Sequence, residues 1–296
     1  MKRRTFLKFA ALAAVLNPIE ILAAASGNHI GKGKTQLRQL KVHPLELPAM
    51  SPPVTRDAHV KDYLTKVRHP NTPHKDDIIL EPDQFQLLRS VVERFDKIQT
   101  HAGHGNFCVL GFEDALLLGE YHPEIGSFTP QELDFLEIIY HQDALDYGFK
   151  GEKQLVTLNQ TINRKDLFKV PYSGNYLFKG ESLEKFKRVK KNLGADLVLT
   201  SGIRGIPKQF YLFLNKAYRH GGNLSLASRS LAPPGYSYHA TGDFDVGQKG
   251  FGGGNFSEKF TTTPVFRMLA SEGFVEYRYK RDNMLGVRYE PWHVKL

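Results

Sequence analysis

Ser237-Tyr238-His239-Ala240-Thr241-Gly242-Asp243-Phe244-Asp245-Val246 places one histidine and two aspartates in a single short segment, and Glu290-Pro291-Trp292-His293 adds a carboxylate and a second histidine near the C-terminus. A hydrolytic metal centre needs three protein ligands and an open position, and two histidines with one carboxylate form an established ligand set for zinc. It also needs a carboxylate that takes a proton from water and returns it to the leaving group. His239, an aspartate at 243 or 245, His293 and Glu290 supply those parts. Asp243 and Asp245 are two apart on a strand and share a face, so either reaches the same side. Ser237 and His239 also share a face, but the strained Gly-x-Ser-x-Gly turn of a serine hydrolase is absent.

Outward from these segments the texture is α+β. Ala195-Asp-Leu-Val-Leu-Thr200 reads as a short apolar strand running into Ser201-Gly202-Ile203-Arg204-Gly205. Pro207 opens a helix that continues to about Arg219 and closes at Gly221-Gly222. Thr263-Pro264 opens another, closed by Gly273. The alternating runs 274–279 and 286–290, joined through Arg281-Asp282-Asn283, predict a β-hairpin. Residues 77–154 read as mainly helical. Phe85, Leu88, Val92 and Phe95 fall at helical spacing after Pro82, and Thr129-Pro130 precedes Leu133, Phe135, Leu136, Ile138 and Ile139.

The ordered motifs, Ser-x-His-x-x-Gly with a following Asp and then Glu-x-Trp-His, with Ser-Gly-Ile-Arg upstream, resemble the D-Ala-D-Ala carboxypeptidase family of zinc peptidases. That group includes vancomycin-resistance-type carboxypeptidases and dipeptidases and shares its fold with hedgehog domains. The resemblance covers roughly residues 155–296. It implies an antiparallel sheet with flanking helices, a Zn2+ cofactor, and hydrolysis of peptide bonds in peptidoglycan stems. The first choice of activity is a D-alanyl-D-alanine carboxypeptidase. A D,D or L,D endopeptidase of the same fold is the near alternative, and a non-catalytic wall-binding protein is the rival class.

Carried over position by position, His239 and His293 match metal ligands and Glu290 the general base. Arg204 matches the arginine that polarises the scissile carbonyl, and Gln209 and Ser237 match substrate-touching positions. The family places its Asp seven residues after the first His. Here Asp245 is six after and Asp243 four after. A one-residue deletion makes Asp245 the third ligand, because the Val-Gly that follows it resembles the family's continuation. Phe244 falls near the family's small Ala, which bears on pocket shape.

The first 25 residues open Met-Lys-Arg-Arg-Thr-Phe-Leu-Lys, continue through an apolar run and end Ala23-Ala24-Ala25. This is the pattern of a signal peptide, with a twin-arginine-type motif, and it predicts export to the periplasmic wall compartment. Residues 26–76 lack a sustained period and read as a flexible arm. The net charge of +9 includes +3 in the first 25 residues, leaving +6 on the remainder. That balance suits an anionic wall partner, while export argues against nucleic acid. No later segment is long and apolar enough to cross a membrane, and nothing in the sequence sets an oligomeric state. The single cysteine, Cys108, sits in an apolar run and excludes an internal disulfide. His101 and His104, in a Gly-rich stretch, read as loop histidines.

Overall fold

The helix starts follow from local chemistry. In this computed structural model, which describes residues 63–271, 273 and 276–296, helix α1 (Pro82–Ala102) begins on a proline whose missing N–H costs nothing in the first turn. It buries Leu88, Val91, Val92, Phe95 and Ile98. Two short helices follow, α2 (His104–Cys108) and α3 (Phe112–Tyr121). Helix α4 (Pro130–His141) starts on a reciprocal cap: Thr129 Oγ1 accepts from Glu132 N and Glu132 Oε2 accepts from Thr129 N, at 3.2 and 2.7 Å. The expected signal peptide over residues 1–25 and most of the expected arm lie outside the described residues. Residues 63–76 lie against the C-terminal half: the Tyr63 hydroxyl donates to Asn283 O at 3.0 Å and Arg229 Nη1 to Thr72 O at 3.0 Å.

Next comes a two-stranded hairpin, β1 (Leu167–Val170) and β2 (Asn175–Phe178), then helix α5 (Glu181–Leu193). Strand β3 (Leu197–Ser201), helix α6 (Ile206–Arg219), helix α7 (Leu224–Ser228), strand β4 (Phe244–Gln248), helix α8 (Pro264–Ser271), strand β5 (Glu276–Tyr277) and strand β6 (His293–Lys295) complete the chain. The main sheet is antiparallel, in the order β3-β4-β6-β5. Phe244 and Val246 on β4, Leu197 and Leu199 on β3, and Val294 on β6 send one face of that sheet into a core with Phe186, Val189, Phe260 and Leu269. Phe244 is thus a core residue, packed edge-on against Phe186. The strand alternation leaves Asp245 and His293, directly paired across β4 and β6, on the other face.

The N-terminal helices pack on α6, with Phe95 and Phe210 stacked at 6.0 Å. Glu132 locks α4 to α1. It is buried and takes hydrogen bonds from Ser90 Oγ and, at 3.0 Å, Arg94 Nη2. Burial opposes ionisation of Glu132, but those donors and Thr129 N–H outweigh it and hold its carboxyl below the ordinary 4.5. Glu132→Ala strands the Arg94 charge and is expected to cost about 3–5 kcal/mol. Because the folded-state pKa is depressed, this contribution is complete above pH 4.5 and lost as pH falls below it. Urea unfolding of both proteins at neutral and acid pH, with the gap closing in acid, is the check.

The structure differs from the expected 274–279/286–290 hairpin. Strand β5 pairs instead with β6, in the register Glu276–Lys295 and Tyr277–Val294. Pro291 has no N–H for a ladder. Gly286 adopts φ +82°, and a Cβ there would meet Gly148 O at 2.0 Å. Residues 286–290 are drawn elsewhere, with Arg288 N donating to Arg229 O, while Glu290 N reaches back to Tyr279 O.

Candidate active site

Sheet register brings the site together. Asp245 sits opposite Ser201 on β3 and opposite His293 on β6. His239 comes from the turn Tyr238–Ala240 just before β4, closed by Ala240 N to Ser237 O and Asp243 N to Tyr238 O. Its Nδ1 faces Gly202 O at 2.8 Å. A carbonyl only accepts, so Nδ1 carries the proton and Nε2 keeps its lone pair. Gly202 has to be glycine, since a Cβ there would lie 2.1 Å from Tyr176 O.

The Nε2 of His239 and the Oδ1 of Asp245 are both buried without a hydrogen-bond partner. They lie 3.3 Å apart, and His293 Nδ1 lies 3.2 Å from the same Oδ1. Donors held about 2.0–2.1 Å from one tetrahedral centre stand about 3.4 Å apart. Two orphaned buried donors and a third at that spacing fit a single metal ion, and the nitrogen and oxygen set suits zinc among divalent cations.

The surroundings tune each donor. Burial, then the Arg204 charge, lowers His239 to about 4, so its imidazole is neutral at pH 7 and its contact with Asp245 is not an ion pair. Burial disfavours charge on Asp245, but the Arg204 guanidinium and the adjoining His293 hold its carboxyl well below the ordinary range. Arg204 Nη2 reaches Asp245 Oδ2 at 2.7 Å and its Nε donates to Ser201 Oγ at 3.0 Å. On the far side of His293, Nε2 meets Asp243 Oδ2 at 2.9 Å. Asp243 is in turn held by Arg278 and by Leu296 N. This is a carboxylate–histidine pair of the kind that orients metal ligands. Burial works against a charge on His293, but Asp243 and Asp245 outweigh it and raise it to about 9. A cation at Nδ1 would displace that proton.

Glu290 is buried, with Oε2 3.7 Å from His293 Nδ1 and Oε1 3.6 Å from Arg288 Nε. Burial raises its carboxyl pKa. Of the residues expected from the sequence, His239, Asp245, His293, Glu290 and Arg204 converge. Asp243 lies in the outer layer, behind His293. Gln209 spans Arg204 O and Gly235 N at 2.8 and 2.9 Å, bracing the backbone that carries Arg204. Ser237 is buried beside His239 in sequence, at the start of the same turn. Sequence reasoning missed Arg278 and Arg288, whose positions depend on how the chain after β5 is threaded.

Residues 179–296 match the VanY family model, D-alanyl-D-alanine carboxypeptidase. The matched stretch contains His239, Asp245, His293, Glu290 and Arg204. Among solved structures, the chain is similar to an LdcB LD-carboxypeptidase described for its peptidoglycan recognition, at 23% identity over 45% of this chain and 69% of that one, TM-score 0.37. It is also similar to a variant of the vancomycin-resistance D,D-pentapeptidase VanY in complex with Zn(II), at 22% identity over 50% and 85% of the two chains, TM-score 0.38. VanYB in complex with D-alanine-D-alanine gives 22% identity over 50% and 83%, TM-score 0.38. No curated protein matches the chain.

Proposed function

We propose that the protein is a zinc-dependent D-alanyl-D-alanine carboxypeptidase acting on peptidoglycan stem peptides outside the cytoplasmic membrane. The observation that carries this reading is the buried donor triangle of His239 Nε2, Asp245 Oδ1 and His293 Nδ1, with two of the three atoms unpartnered, inside the stretch that matches that family's model. His239, Asp245 and His293 would hold the ion. A bound zinc supplies Lewis acidity, lowering the pKa of water and polarising the scissile carbonyl.

The protein's own groups do the rest. Glu290, kept basic by burial, accepts a proton from the attacking water as its oxygen adds to the carbonyl carbon. Glu290 then delivers that proton to the amine as the C–N bond breaks, releasing the terminal amino acid. Arg204 fixes Asp245 and places a cation beside the donor triangle, where negative charge gathers on the carbonyl oxygen. Asp243 keeps the His293 ring aimed inward.

The reading supposes export. The basic, twin-arginine-type N-terminus supports it, and among the described residues no helix is long and apolar enough to cross a membrane. A charge of +6 beyond residue 25 suits an anionic wall.

The test is incubation with a stem pentapeptide ending in D-Ala-D-Ala, followed by mass spectrometry. We expect loss of a single alanine, abolished by a chelator and restored by zinc. Cleavage at an internal bond would replace the carboxypeptidase assignment with an endopeptidase, and intact peptide with zinc-loaded protein would sink the enzymatic reading.

A further inference from the structure

A second cluster of metal-binding side chains lies in the helical N-terminal half. His101 occupies the last turn of α1, and His122 directly follows α3. Their rings approach to 3.9 Å between centroids. The Nδ1 of each faces the same oxygen, Glu124 Oε1, at 3.5 Å for His101 and 3.6 Å for His122. Neither distance is a good hydrogen bond, and an exposed ion pair of this kind contributes little. Both distances do match the donor spacing around a cation, about 3.4 Å for tetrahedral nitrogen and oxygen ligands. They resemble the 3.2 and 3.3 Å edges of the buried triangle.

The backbone holds this arrangement in place. His122 O accepts from Ile125 N and Gly126 N, closing the turn that carries Glu124. Arg94, two turns before His101 on α1, donates to Ile125 O and Gly126 O at 2.9 and 2.6 Å, tying the turn to the helix. Both imidazoles sit at helix C-termini, where the backbone dipoles favour positive charge.

We propose that His101, His122 and Glu124 form a second, solvent-facing site for a divalent transition metal of the zinc, nickel and copper group, one that cross-links α1 to the turn after α3. Two imidazoles and a single carboxylate select these ions over magnesium or calcium. The site is separate from the buried one and does not depend on the carboxypeptidase reading.

The experiment is zinc titration of the full chain, with bound metal counted after dialysis at free zinc up to about 0.1 mM. Wild type should bind two equivalents. H101A/H122A should bind one and keep full peptidase activity. E124Q, a change at an exposed side chain that leaves the fold undisturbed, should weaken the second equivalent about tenfold or more. H239A should also bind one, and its remaining equivalent should disappear when H101A/H122A is added. H101A/H122A that binds as many equivalents as wild type overturns the surface site. H239A that still binds two overturns the buried site instead.

Discussion

Glu290→Gln is expected to lower kcat about a hundred- to ten-thousand-fold, the usual weight of a positioned proton-transfer group, while bound metal stays near the wild-type level. Glutamine keeps the shape of a side chain that is buried beside His293 and Arg288, so packing changes little. It cannot accept the proton of the attacking water. Glu290 lies outside the triangle of His239, Asp245 and His293, so its loss leaves the donors in place. Steady-state kinetics on a D-Ala-D-Ala peptide, with metal counted on the same sample, separates the outcomes. Unchanged turnover would make Glu290 a packing residue. Lost metal would make it a ligand.

His239→Ala is the second large change. It deletes an orphaned buried nitrogen and leaves Gly202 O without its partner. Two protein donors then remain at the centre, and we expect loss of the buried metal equivalent and peptidase activity at background. Asp243→Asn should be graded, not absolute. Its side chain touches the outer nitrogen of His293 at 2.9 Å, so the ring loses its anionic partner but keeps its place on β6 opposite Asp245. Weakening of about ten- to a hundredfold in metal affinity is typical of such partners. Competition against a chromophoric chelator measures both. If Asp243→Asn abolished binding as fully as His239→Ala, Asp243 would be a ligand and the geometry described for it would be wrong.

Much of this site is visible in the chain before it folds, for a physical reason. His239, Asp245, Glu290 and His293 sit at or beside β4 and β6, and antiparallel pairing brings short, nearly contiguous motifs face to face. Helix α4 was similarly readable, since Thr129, Pro130 and Glu132 satisfy its first turn from within the same few residues. What did not show in the sequence depends on distant backbone. Strand β6 does not stand out in the sequence because residues 286–290 carry better alternation than His293–Lys295, yet Gly286 and Pro291 divert them to other partners. Gln209 holds Arg204 O and Gly235 N with the two ends of its amide, contacts that its position in a motif does not announce. The choice between Asp243 and Asp245 turned on the side of His293 each one meets. That is set by Arg278 and Leu296 N, which no local pattern places. His101 and His122 come together where Arg94 pins the turn after α3 to α1, a contact no local pattern announces.

The central claim is that His239 Nε2, Asp245 Oδ1 and His293 Nδ1 converge on one zinc ion. The most direct measurement is an anomalous difference map, collected across the zinc edge from crystals of protein purified without chelator. The account predicts a peak about 2.0–2.2 Å from each of those three atoms, with Asp243 outside coordination distance behind His293. A map without density there, or a peak ligated by Asp243 in place of Asp245, would contradict it.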